Sequence, residues 1–162
     1  MLITARSMKE LNFSSLMEVY LEGNLEKAEE GLTLLEAEQD FYQYLRECFF
    51  AIPDAIYYVW QEQGKYVSAL RLEPYRDGWL LAGLETAPEQ RRRGFGERLV
   101  RAVLDLQGNA LVYSHVHKGN AASLELHKKC GFSVIADTAS YIDGSVNQYA
   151  FTLCYCNRES GN

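Results

Sequence analysis

The chain is poor in proline, with only Pro53, Pro74 and Pro88 in 162 residues. That excludes the proline-rich linkers and polyproline segments of low-complexity proteins. Histidines are equally few: His115, His117 and His127. His115-x-His117 would set two rings on one strand face, but no acidic or thiol ligand follows at a metal-site spacing, so no metal is expected. The four cysteines, Cys48, Cys130, Cys154 and Cys156, contain no Cys-x-x-Cys pair. Reduced thiols are therefore expected, rather than a zinc site or a disulfide framework. No apolar run approaches the roughly 18 residues of a membrane span. The opening MLITARSMKE lacks the apolar centre of a secretion signal, so a cytoplasmic location is expected. Basic side chains number 16 against 22 acidic, a net charge of −6. That balance argues against nucleic acid and leans towards cationic partners.

What is present is an ordinary globular composition, 48% hydrophobic and 23% charged. The length suits one domain spanning 1–162, large enough for a core without staples. Residues 2–6 read as a short strand, and 9–27 and 33–50 as helices separated near Gly31. In the second helix Leu34, Ala37, Phe41, Tyr44, Leu45 and Cys48 recur at helical spacing, and Thr33 with Glu36 fits a capping box. After Pro53 the period changes. Residues 55–61, 65–72 and 79–86 read as an antiparallel meander turning at Gln63-Gly64 and Asp77-Gly78. A helix follows, with Phe95, Leu99, Val103 and Leu106 on one stripe, closed by Gly108. Then come a strand at 111–116, a helix at 120–129 ended by Gly131, and a hairpin of 132–142 and 146–155 turning at Asp143-Gly144. This order gives a mixed α/β (α+β) fold whose mostly antiparallel central sheet is flanked by helices.

The segment that carries chemistry is WLLAGLETAPEQRRRGFG, Trp79 to Gly96. A strand runs towards Pro88 and a helix opens at Arg93-Gly94-Phe95-Gly96. The glycines free the backbone to aim several N–H groups at one ligand, and the helix N-terminus adds positive potential. Arg91, Arg92 and Arg93 add cationic donors, so the segment is a natural pyrophosphate cradle. It is neither a nucleotide P-loop, which needs Gly-Lys-Ser/Thr, nor a dinucleotide fingerprint, which needs a third small residue where Leu99 stands.

This segment resembles motif A of the GNAT acyl-CoA N-acyltransferase family, Gln/Arg-x-x-Gly-x-Gly/Ala, in the form Arg91-Arg92-Arg93-Gly94-Phe95-Gly96 with Pro88 ahead of it. A second family signature follows, an Asn, a short helix and Gly-Phe: Asn120 to Lys129, then Cys130-Gly131-Phe132. The element order matches as well. The resemblance implies a GNAT fold, acetyl-coenzyme A as co-substrate without a metal, and a small-molecule or peptide amine as acceptor. It implies the pyrophosphate on Arg91, Arg92, Arg93, Gly94, Phe95 and Gly96, and pantetheine beside Leu84, Glu85 and Thr86. A backbone N–H near Thr86 would face the developing oxyanion. Val116 and His117 would line the far side of the cleft, with Asn120 and Ser123 as polar contacts. Asn120 reads equally as a helix N-cap.

For catalysis, Glu85 is the expected base, or else a solvated strand-end residue. The family's tyrosine four residues before Gly-Phe is replaced by His127, which is either the acid that protonates the leaving thiol or a packing residue. Tyr141 and Tyr149 are alternatives for the acid. The expected activity is acetyl-coenzyme A-dependent N-acetyl transfer, with a non-catalytic acyl-coenzyme A sensor as the alternative; acetyl or a longer acyl group stays open. The N-terminal helices and the last hairpin would wall the acceptor site. The helices are rich in glutamate, including Glu22 and Glu26, which suits a cationic amine. The aromatic C-terminal strands offer an edge for a homodimer.

Overall fold

The structure, a computed structural model, describes residues 1–157, so residues 158–162 of the expected 1–162 domain lie outside the described residues. One sheet of seven strands runs in the order β1-β2-β3-β4-β5-β9-β6. Its strands are β1 (Leu2–Ala5), β2 (Ile56–Glu62), β3 (Lys65–Tyr75), β4 (Gly78–Thr86), β5 (Val112–His117), β6 (Ser133–Ala136) and β9 (Ala150–Tyr155). Every neighbouring pair is antiparallel except β4 with β5. A small ribbon of β7 (Ala139–Ser140) and β8 (Val146–Asn147) stands apart.

The central strands bury both faces, which explains their nearly unbroken apolar runs. Along β2 and β3 the alternation sorts side chains to opposite sides. Ile56, Tyr58, Leu70 and Leu72 meet Leu99, Val100 and Val103 of helix α4 (Phe95–Gln107). Tyr57, Val59 and Ala69 meet Leu16, Val19, Leu45 and Phe49 from the N-terminal helices. Those helices are α1 (Phe13–Val19), α2 (Leu21–Glu29) and α3 (Leu34–Tyr44), the last running on into a single wider turn at Leu45–Phe49. The expected helix over 9–27 is instead two, capped by the Asn12 side chain and broken at Tyr20. The Thr33–Glu36 capping box forms as expected. The last hairpin is shorter strands than expected, because β6 pairs with β9 while residues 139–147 curl into the separate ribbon.

One irregularity shapes the functional face. Between the pairs Ala69–Glu85 and Arg71–Ala82, two β4 residues, Gly83 and Leu84, stand opposite the single Leu70. Gly83 takes φ +62°, a left-handed conformation that costs other residues free energy. Tyr57 donates its hydroxyl proton to Tyr20 at 2.6 Å, and Tyr20 donates to the Gly83 carbonyl at 2.6 Å. Burial pushes the Tyr20 phenol up to about 12, so it stays a donor at any working pH. The bulge bends β4 away from β5: the two pair only over Trp79–Leu81 and Val112–Ser114. Beyond those residues the sheet splays. A Cβ on Gly83 would also stand 3.0 Å from the Arg71 guanidinium carbon. Gly83→Val should therefore lower unfolding free energy by about 1–3 kcal/mol, measured by denaturant titration; an unchanged midpoint would contradict a bulge that requires glycine.

Candidate active site

The splay opens a cleft of about 640 Å³ between the end of β4, the start of α4 and helix α5 (Ala121–Lys129). Leu84, Glu85, Thr86, Arg91, Arg92, Gly94, Phe95, Gly96, Asn120 and Ser123 line it. Of the residues expected to hold coenzyme A, Arg93 is the one outside this lining; it donates to the Gln90 side chain and stacks over the Phe95 ring at 5.2 Å. Val116 and His117 do not line it either. Val116 is buried in the core, and the His117 Nδ1 accepts the Gly119 N–H at 3.0 Å.

Local backbone geometry builds the floor of this cleft. Arg92 takes φ +63° and Gly94 φ +79°, so the chain winds through left-handed residues just before α4. Such alternation turns successive N–H groups inwards into a nest that suits an anion. Gly94 is the N-cap of α4, whose helix dipole adds positive potential there. Gly96 has another reason to lack a side chain: its Cβ would stand 3.1 Å from Leu126 and 3.2 Å from the Thr86 hydroxyl, where α4, α5 and β4 meet. Among the described residues, the side of Leu84–Thr86 that would face β5 has no strand partner. An extended ligand could therefore pair with it, as it could with any open strand edge. Asn120 caps α5 by accepting the Ser123 N–H at 3.1 Å, which fixes both residues at the rim.

Two kinds of charge meet at the mouth. Arg91, Arg92 and Lys129 face the cleft. Arg91 also pairs with Glu22 of α2 and, at 3.7 Å, with Glu85. Glu85 is about half exposed, and partial burial raises its carboxyl pKa. Arg91 opposes that rise, whereas Glu22 and Glu26 add to it. The result is a carboxylate tuned upwards towards the range of a general base.

His127 lies elsewhere. It is 2% exposed, packed on Phe132. Its Nδ1 is 2.7 Å from the Ser123 carbonyl, which can only accept, so Nδ1 carries the proton. Nε2 then accepts from the Ser114 hydroxyl at 2.9 Å. Both nitrogens are engaged, and burial lowers the ring's pKa. Neither Tyr141 nor Tyr149 lines the cleft; both are exposed near the last hairpin, Tyr141 against His115 with ring centres 5.1 Å apart. Sequence reasoning missed Gln90, Lys129 and Leu126 as cleft residues. Lys129 had a signal in the helical spacing from Ser123 through Leu126, which sets all three on neighbouring parts of α5.

The model of the acetyltransferase (GNAT) family matches residues 19–132, well over half of the chain. No curated protein matches. Solved structures of the same fold include the ribosomal-protein-S18-alanine N-acetyltransferase from Escherichia coli, at TM-score 0.63 and 17% identity over 100% of this chain and 97% of that one. They also include aminoglycoside 6'-acetyltransferase type Ii, at 0.64 and 16% over 96% of each chain. A third is the PaiA N-acetyltransferase from Thermoplasma acidophilum in complex with coenzyme A, at 0.63 and 16% over 96% and 99%.

Because the unfolded His127 ring takes a proton near its ordinary 6.5 and the buried ring only at lower pH, its stabilisation is present above about 6.5 and lost as pH falls. His127→Ala should lower unfolding free energy by about 2–4 kcal/mol at pH 7.5, and by less at pH 5.5. Equal losses at both pH values would contradict a ring buried in its neutral form.

Proposed function

The chain belongs to the acetyltransferase (GNAT) family, and we propose that it transfers an acetyl group from acetyl-coenzyme A to a primary amine of a small molecule or peptide. The observation that carries this reading is the splay itself. An anion cradle lies at one end of it, an unpaired strand edge runs along it, and a carboxylate of raised pKa stands at its mouth. Acetyl-coenzyme A would supply the activated thioester. The nest at Arg92–Gly96, with Arg91, Arg92 and Lys129, would take its phosphates. The open edge of Leu84–Thr86 would pair with the pantetheine amides, and Asn120 and Ser123 would contact it from α5.

An alkylammonium with a pKa of about 10.4 is nearly all charged at neutral pH, so the acceptor must lose a proton before it can attack. Glu85 accepts that proton, directly or through water. Glu22 and Glu26 serve it twice: they draw in the cationic acceptor, and they keep the Glu85 carboxyl basic. Water can then return a proton to the leaving thiolate, since a thiol with a pKa of about 8.5 leaves without an obligatory acid. His127 acts through structure, by fixing Ser114 at the fork of β4 and β5 and tying it to α5.

Thiol release from acetyl-coenzyme A, followed across a panel of amines, tests the activity. Glu85→Gln should cut kcat/KM by about 10²–10⁴-fold at pH 7, while calorimetry shows acetyl-coenzyme A still bound. In the parent protein, the acid limb of the pH profile should lie above the ordinary carboxylate value of 4.5. A variant that keeps the parent's pH profile would remove Glu85 as the base. Cofactor binding with no thiol release from any amine would favour a binding module over an enzyme.

A further inference from the structure

On the same face of the sheet as Glu85, one arginine makes no ion pair among the described residues. Arg71 lies on β3, two residues from Ala69, which pairs across the strands with Glu85. That spacing sets the two backbones roughly 7 Å apart along the sheet. The Arg71 guanidinium is flanked by two rings, Tyr44 at 5.3 Å and Phe49 at 5.8 Å. It also packs on the bare backbone of Gly83, where any Cβ would come within 3.0–3.2 Å of it.

Nothing in the described residues uses its donors. The ion pairs there involve Arg91, Arg98, Arg101 and Lys118, but not Arg71. Glu73, two residues further along the same face, acts on it through space but makes no ion pair with it. No unpartnered polar side-chain atom is fully buried among the described residues, so the guanidinium nitrogens keep contact with solvent. Aromatic stacking accounts for the position of the plane. It does not account for a half-buried fork of hydrogen-bond donors left without an acceptor. A partly buried guanidinium whose donors meet only solvent gains most from a planar anion that can take two of its N–H groups.

We propose that Arg71 is the anion-binding half of the acceptor site, and that the acceptor is an amine that also carries a carboxylate, such as an amino acid or a compact peptide. This inference rests on the transferase reading above. The acceptor's ammonium would face Glu85, Glu22 and Glu26, and its carboxylate would face Arg71 one bulge away. Opposite charges held at both ends also fix the direction in which the amine enters. An acceptor with cationic groups alone would meet Arg71 as a repulsive wall.

The experiment offers each acceptor in two forms, the free L-amino acid and its α-carboxamide, and follows thiol release from acetyl-coenzyme A. For the acceptors used, the acid should exceed the amide in kcat/KM by about tenfold or more, mainly through KM. Arg71→Gln should bring that ratio towards one, and Arg71→Lys should retain part of it. Circular dichroism melts of both variants would show that the fold persists. Amides used as well as acids by the parent protein would overturn the proposal, as would a ratio unchanged in Arg71→Gln. If acetyl-coenzyme A binds and neither form releases thiol, the transferase reading fails. Calorimetric binding of the same acids and amides to the coenzyme A-saturated protein then decides: tighter binding of acids, lost in Arg71→Gln, supports the subsite, and equal or absent binding overturns it.

Discussion

The extra residue in β4 is the constraint on which the rest of the site depends. A regular β4 would keep pairing with β5 past Leu81 and would close the sheet. With Gly83 and Leu84 opposite Leu70, the strand turns away after three paired residues, and its far end keeps backbone groups that no other strand takes. The left-handed backbone of Gly83 makes this possible, and the Tyr57–Tyr20 hydroxyl relay holds its carbonyl in place. The relay starts in the N-terminal half of the fold, so α1 and α2 help set the shape of a cleft whose other wall is α5. Packing of the N-terminal helices on one face of the sheet thus bears on one residue without a side chain.

Around that opening, charge is sorted by side. One side carries Arg91, Arg92, Lys129 and the N-terminus of α4, in a protein whose net charge is −6. The other side carries Glu22, Glu26 and Glu85, with Arg71 flanked by its two rings nearby. Arg91 spans the two sides through its pairs with Glu22 and Glu85. Such an arrangement favours an anion from one direction and an ammonium from the other, and it places the Glu85 carboxylate, its pKa raised by partial burial, where they meet.

Much of this was legible in the residues. The arginine–glycine loop announced a cradle because glycine and helix-start chemistry are local, and the order of elements followed from periodicity. Asn120 and the Thr33–Glu36 box were legible for the same reason. The helix break at Tyr20 was not: the residue there is anchored by a tertiary hydrogen bond to Gly83, which no local pattern announces. Gly83 itself gave no pattern: a bulge shows only when the register of β3 against β4 is known. His127 invited a catalytic reading because of its position in the motif. Its burial depends on Ser114 of β5, which the sequence could not bring beside it. The stacking of Arg71 likewise needs residues from α3 and the turn after it, separated from β3 by a whole strand.

Amide hydrogen exchange with and without coenzyme A reads the backbone groups of the proposed cradle and open edge. Exchange should slow on addition of coenzyme A at residues 92–96 and 84–86, with little change in β1 and β2. Protection confined to other segments, or none at saturating coenzyme A, would contradict a cofactor cleft opened by the Gly83 bulge.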